Sequence, residues 1–342
     1  MTANSLIAYI DQASTVGDEI FVSGWVVHAT QRINSISFFE EDMLLIPSFE
    51  LLPRPDLQQA FPTYPGAYNS GFKFQVRRGW KETSKTHFAF KIVAYLANGE
   101  LETLSIAYVD TELERQRVPI PPEHLQVRVR GSSQDWLRIQ ALIYHGMKAE
   151  IEKHRKLTSF ERILDWGCGC GGIMRYLLDD VPAERIYGCD IDSEAIGWNK
   201  QFFIGPSFTW NIYQPPTPYE SEYFDLIYGI SIFTHLSEPM QFQWLKELRR
   251  LLKPGGIIAV SLHGEAITPG HFKPWVAGGK GFFDTDSEQR FEFAAYATID
   301  YYRSTFHTRA YVMREWSKYF RVLDYIERGI NGYQDLVILT AE

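Results

Sequence analysis

Two carboxylates and three glycines make the sharpest chemical pattern in this chain of 342 residues. Asp165 follows the apolar pair Ile163-Leu164, and Gly167, Gly169 and Gly171 come directly after it. Asp190 closes a second apolar run, Ile186-Tyr187-Gly188-Cys189. Glycines at alternate positions after a strand let backbone approach a ligand that a Cβ would push away. An acid about 20 residues further on can accept hydrogen bonds from both hydroxyls of a ribose. The pattern predicts a nucleoside site at the C-terminal edge of a parallel sheet.

The loop fits two spacings. Gly167, Gly169 and Gly172 satisfy the dinucleotide form G-x-G-x-x-G, while Gly167, Gly169 and Gly171 satisfy the tighter G-x-G-x-G. Asp165 separates them. A carboxylate at the mouth of the strand repels a pyrophosphate and attracts a cation or an amino group. A sulfonium cofactor with an amino-acid tail suits that charge. Asp190 suits either ligand, and Asp192 and Ser193 read as caps of the helix that follows.

Two histidines also fall after strand ends. His235 follows the fourth strand of the pattern and His263 ends the fifth. A histidine titrates near neutrality and can take a hydroxyl proton, so both are candidate general bases. Each also has a plainer reading as a packing residue. His307, Tyr301, Tyr302 and Tyr311 lie in an aromatic insertion expected to be core before it is an acceptor lid. Tyr333-Gln334-Asp335 is expected to begin the last strand.

These residues must be held by an alternation of strand and helix. Strands are predicted at 162–166, 185–190, 207–211, 224–229 and 256–263, and helices at 133–156, 172–180, 193–202 and 239–252. Phe320–Arg328 and Gln334–Thr340 read as a closing antiparallel pair. Such alternation implies a doubly wound parallel sheet covered on both faces. Residues 1–115 differ. Glu19–Val27, Ile33–Phe38, His87–Leu96 and Leu104–Val109 alternate with period two, and Asn98-Gly99 marks a hairpin. They predict a β-sandwich, with a long proline-rich loop over 52–66. Pro119, Pro121 and Pro122 mark a linker over 116–132 before an α/β domain at 133–342.

The formal net charge of −8 argues against a nucleic-acid backbone as partner. Arg77-Arg78 and Arg128/Arg130 are read as solvated surface. Cys168, Cys170 and Cys189 are the only cysteines and lack zinc spacing, so no metal site, no disulfide framework and a reducing compartment are expected. No signal-peptide pattern and no membrane-spanning apolar run is seen, and a cytoplasmic location follows.

Four motifs in order resemble the class I S-adenosylmethionine-dependent methyltransferases: Asp165–Gly171, Gly188–Asp192, Phe224–Leu236, and Leu252-Lys253-Pro254-Gly255-Gly256. The resemblance covers roughly residues 135–341. It implies a Rossmann-like seven-stranded sheet with an antiparallel final strand. It implies that Asp165, Gly167, Cys168, Gly169 and Gly171 hold the methionine part of S-adenosylmethionine and that Asp190 holds the ribose. Ile191 would pack on the adenine, Asn211 would meet its amino group, and Ile230 and Ser231 would line the reactive end. A looser likeness ties the β half, through Ser23-Gly24-Trp25, Arg54-Pro55-Asp56 and Ser70-Gly71-Phe72, to modules of surface-polysaccharide enzymes. The expected function is O-methylation of a small-molecule acceptor, a saccharide or natural product, with a homodimer compatible. The alternatives are an NAD(P)-dependent oxidoreductase and a non-catalytic cofactor-binding scaffold.

Overall fold

The structure is a computed structural model and describes residues 5–16, 19–40, 43–49, 51–77, 86–130, 135–267, 279–286 and 302–341. The chain divides into two compact units. One comprises Met1–Arg117 with Leu137–Leu142, the other Val118–Trp136 with Ile143–Glu342.

The first unit holds β1 (Leu6–Val16), β2 (Glu19–His28), β3 (Ile33–Glu40), β4 (Met43–Phe49), β5 (Leu52–Pro53), α1 (Pro55–Ala60), β6 (Asn69–Arg77), β7 (His87–Leu96), β8 (Leu101–Val109) and α2 (Thr111–Arg117). Two antiparallel sheets form, in the orders β1-β2-β6-β5 and β4-β3-β7-β8. Alternate residues of β7 are buried, as a half-covered strand requires. Phe38 of one sheet meets Phe72 of the other with ring centroids 4.8 Å apart, inside a core that includes Val26, Phe90 and Ile92. This is the expected all-β sandwich. The proline-rich segment 52–66 carries the short strand β5 and the helix α1. Pro55 stands in the first turn of α1, where a missing N–H costs nothing.

The second unit runs α3 (Glu123–Arg130), α4 (Trp136–Glu152, shared with the first unit), β9 (Ile163–Trp166), α5 (Met174–Leu177), β10 (Ile186–Asp190), α6 (Ser193–Phe202), β11 (Ser207–Trp210), β12 (Phe224–Gly229), α7 (Glu238–Leu251), β13 (Leu252–Leu262), β14 (Phe282–Asp286), β15 (Arg303–His307), α8 (Arg309–Glu315), β16 (Arg321–Ile330) and β17 (Gln334–Thr340). Seven strands share one sheet, in the order β11-β10-β9-β12-β13-β17-β16. The last strand, β17, is antiparallel to both neighbours. Strands β9, β12 and β17 are buried along their whole length, as strands covered on both faces must be. Trp166, Phe233, Trp244 and Trp316 join the core on one face.

Three expectations are corrected. The helix read over 172–180 is only α5, because turns occupy both flanks. Residues 116–132 are not all linker, since α3 lies there and buries Leu125. The Lys253-Pro254-Gly255-Gly256 turn falls inside β13. There the register to β12 jumps from Leu252 to Ile257, and Gly255 absorbs the bulge at φ +70°.

Candidate functional site

Strand β9 delivers Asp165 to its C-terminal end, and the glycine loop begins there. Gly167, Gly169 and Gly171 all have positive φ, and Gly172 is not among such residues. The backbone thus follows the G-x-G-x-G spacing. A Cβ on Gly167 would lie 2.0 Å from Ile232 Cδ1, and one on Gly171 2.5 Å from the Phe203 ring. Asn199 of α6 is buried and donates from Nδ2 to the Gly169 carbonyl at 2.7 Å.

The two acids are joined through this loop. One oxygen of Asp190 accepts the Gly169 N–H at 2.7 Å and the other accepts the Asp192 N–H at 2.8 Å. Burial pushes its pKa up to about 6, against the pull of those amides. Asp165 is buried and pushed up to about 8, mainly by loss of water and further by Asp190, while the neighbouring Tyr228 hydroxyl pulls it down. No lysine or arginine pairs with it among the described residues. Cys168, Cys170 and Cys189 are buried free thiols held protonated by burial.

Beyond β11, Asn211 is buried. Its Nδ2 donates to the Ile212 carbonyl at 2.8 Å, but its Oδ1 has no partner. The Asn211 N–H donates to the Asp190 carbonyl at 3.1 Å, and the next carbonyl, of Ile191, accepts Trp210 Nε1 at 2.9 Å.

After β12, Ser231 adopts φ +63°. Two turns later the two candidate bases hang from one strand. His235 Nδ1 lies 2.9 Å from the Arg303 carbonyl, and His263 Nδ1 lies 3.1 Å from the Thr305 carbonyl. A carbonyl only accepts, so each Nδ1 carries the proton and each Nε2 presents a lone pair. The two anchoring residues, Arg303 and Thr305, are alternate residues of β15, roughly 6.6–6.8 Å apart along the strand. Burial lowers both pKa values to about 4, so both rings are neutral at pH 7. Tyr302 stacks on His235 with centroids 4.1 Å apart, and Phe306 stacks on His263 at 5.2 Å. His307 belongs to the core, bonded to Gln241 at 2.9 Å, and Tyr311 is buried on α8. Tyr301, Arg78 and the side chain of Arg130 lie outside the described residues.

A family model described as a methyltransferase domain matches residues 163–256. The match spans the glycine loop, Asp190, Asn211 and the β12 turn, and it ends in the β13 bulge. Residues 163–256 are a methyltransferase domain. A methyltransferase domain makes the chain an enzyme. Solved structures with a similar fold include a Pyrococcus horikoshii protein, 20% identical over 58% of this chain and 89% of that one, with a TM-score of 0.42. Another is a chain from the complex of the Haloferax volcanii Trm112 methyltransferase activator with a putative methyltransferase, 15% identical over 65% and 99%, with a TM-score of 0.44. A third is an S-adenosylmethionine-dependent methyltransferase from Aquifex aeolicus, 16% identical over 64% and 98%, with a TM-score of 0.39.

The residues of the methyltransferase domain fit S-adenosylmethionine. The orphaned Asn211 Oδ1 is an acceptor suited to an adenine amino group. The Asp165 carboxyl is buried with no cationic side chain acting on it, which suits an ammonium group. Asp190 keeps a second lone pair on each oxygen for ribose hydroxyls. Among the described residues no group of acids, histidines and cysteines could hold a metal.

Four residues escaped sequence reading. Arg128 is not solvated surface: it pairs with Asp192 at 2.8 Å and Glu194 at 2.9 Å. His124 joins Glu194 at 2.8 Å, and Val129 of the same helix α3 sits where a Cβ on Gly169 would be, 2.6 Å away. Helix α3 therefore closes against the methyltransferase loop. The fourth is Gln334, which begins β17 as expected but also bonds to Ser231. Arg128 and Gln334 bond to residues 64 and 103 positions away, which no local pattern encodes. No helix among the described residues is long and apolar enough to cross a membrane.

Proposed function

We propose that the enzyme methylates a hydroxyl of a small neutral acceptor, a saccharide or other natural product, with His235 or His263 taking the hydroxyl proton. Bound S-adenosylmethionine supplies a methyl group already activated on sulfonium sulfur. With the methyl group so supplied, His235 or His263 would take the acceptor's O–H proton at Nε2 as the oxygen is methylated. Holding the two reactants in line can contribute roughly 7–11 kcal/mol.

One observation carries this reading: two neutral imidazoles, each fixed through Nδ1, leave Nε2 lone pairs beyond β12 and β13. Among the described residues no carboxylate acts on either ring by charge, and His263 alone so acts on His235. A cationic amine acceptor would want such a carboxylate, and a hydroxyl does not. Asp165, Asp190 and Asn211, with the loop from Gly167 through Cys168 to Gly171, are read as the cofactor contacts, and Ile191 as the adenine wall. Residues 1–115 are read as an accessory domain to the methyltransferase part.

The test is release of S-adenosylhomocysteine by the full chain with panels of neutral saccharides, phenols and amines. Turnover confined to hydroxyl acceptors is expected. Turnover confined to amines overturns the assignment.

A further inference from the structure

Ser231 is an unusual residue for its backbone. At φ +63° it sits in the left-handed region, which side chains other than those of glycine, asparagine and aspartate rarely adopt. Such a conformation persists only where surroundings over-determine it. Here every polar group of Ser231 is held. Its N–H donates to Ser261 Oγ at 2.7 Å. Its carbonyl accepts Thr234 Oγ1 at 2.7 Å. Its Oγ lies 2.8 Å from Gln334 Nε2 and 3.0 Å from Gln334 Oε1, and Ser261 Oγ donates to that same Oε1 at 2.7 Å. Ser261 is fully buried and Gln334 is nearly so.

The three residues come from the ends of three adjacent strands. Ser231 follows β12, Ser261 lies near the end of β13, and Gln334 opens the antiparallel β17. The next residue along the turn, Ile232, is packed on Gly167, the first glycine of the cofactor loop. We propose that Gln334 and Ser261 are positioning residues of the cofactor site: they hold Ser231 in its left-handed turn, which sets Ile232 against Gly167. The reversed strand β17 thereby helps to shape the glycine loop.

A glycine at 231 would take this conformation without help, and that makes the inference testable. S-adenosylmethionine binding to the full chain is measured by calorimetry for Gln334→Ala, Ser231→Gly and the double variant, with thermal midpoints alongside. With Ser231 present, Gln334→Ala should weaken binding about 5- to 30-fold, the equivalent of a left-handed penalty of roughly 1–2 kcal/mol. In the Ser231→Gly chain the same change should alter binding by no more than about twofold, as for independent sites. The midpoint should drop in both backgrounds, since the buried amide is lost from each. Equal weakening in both backgrounds, or none in the first, overturns the proposal. Should Gln334→Ala not fold, Ser261→Ala in the same two backgrounds decides by the same comparison. Failure of the unaltered chain to bind would instead refute the cofactor assignment beneath it.

Discussion

The carboxylate of Asp190 accepts the backbone N–H of Gly169 across 2.7 Å. The acid read as the ribose ligand and the loop read as the methionine cradle are therefore one mechanical piece. Asp190→Ala should remove ribose hydrogen bonds and free the loop together. Hydrogen bonds to a charged group contribute about 1.5–3 kcal/mol, so S-adenosylmethionine should bind about 10- to 150-fold more weakly by calorimetry. A loss under threefold would separate the two roles.

Asp165 makes cofactor binding depend on pH. Its carboxyl, at about 8, is largely protonated at neutral pH. An ammonium beside it favours the ionised form, so binding should release a proton. Affinity should rise with pH until about 8 and then level off. Calorimetry in buffers of different ionisation heat reads the proton directly. Asp165→Asn should bind weakly and show no such proton.

These two acids show what the sequence made legible and what it did not. Their order, spacing and flanking strands are local, so the α/β half and its reversed last strand could be read from the sequence. The β-sandwich was legible from several short strands with turn signals between them, of which β7 alternates most clearly. Strands β14 and β15 were not, because Arg303-Ser304-Thr305-Phe306-His307 has no clear period. The Arg303 and Thr305 carbonyls of β15 nevertheless anchor both histidines. Arg128 looked like a surface charge because its partners, Asp192 and Glu194, are supplied by a distant helix start.

The two histidines should set the rate without setting cofactor affinity. Replacing the true base by alanine should lower kcat about 10²–10⁴-fold and leave S-adenosylmethionine binding close to that of the unaltered chain. Both rings stay neutral down to about pH 4, so the rate should show no acid limb near 6.5. The sign for stability follows from the same depression. Unfolded rings take protons first, so the folded chain should lose stability as pH falls from 6.5 towards 4. A kcat profile with a midpoint near 6.5 would place the base elsewhere.

Glycine substitutions separate strain from collision. Gly255 has φ +70° but open space around a Cβ, whereas Gly171 has φ +76° and the Phe203 ring 2.5 Å away. Gly255→Ala should cost about 1–2 kcal/mol of stability and spare cofactor binding. Gly171→Ala should cost more and abolish binding, as thermal unfolding and calorimetry on the two variants can show.

The central claim is that the loop from Asp165 to Gly171 holds S-adenosylmethionine. Its most direct test is calorimetric titration of the full chain with S-adenosylmethionine and, separately, with NAD and NADP. One molecule of S-adenosylmethionine bound per chain, with binding lost in Asp165→Asn and neither dinucleotide bound, is the predicted result. Heat from a dinucleotide and none from S-adenosylmethionine would contradict the account.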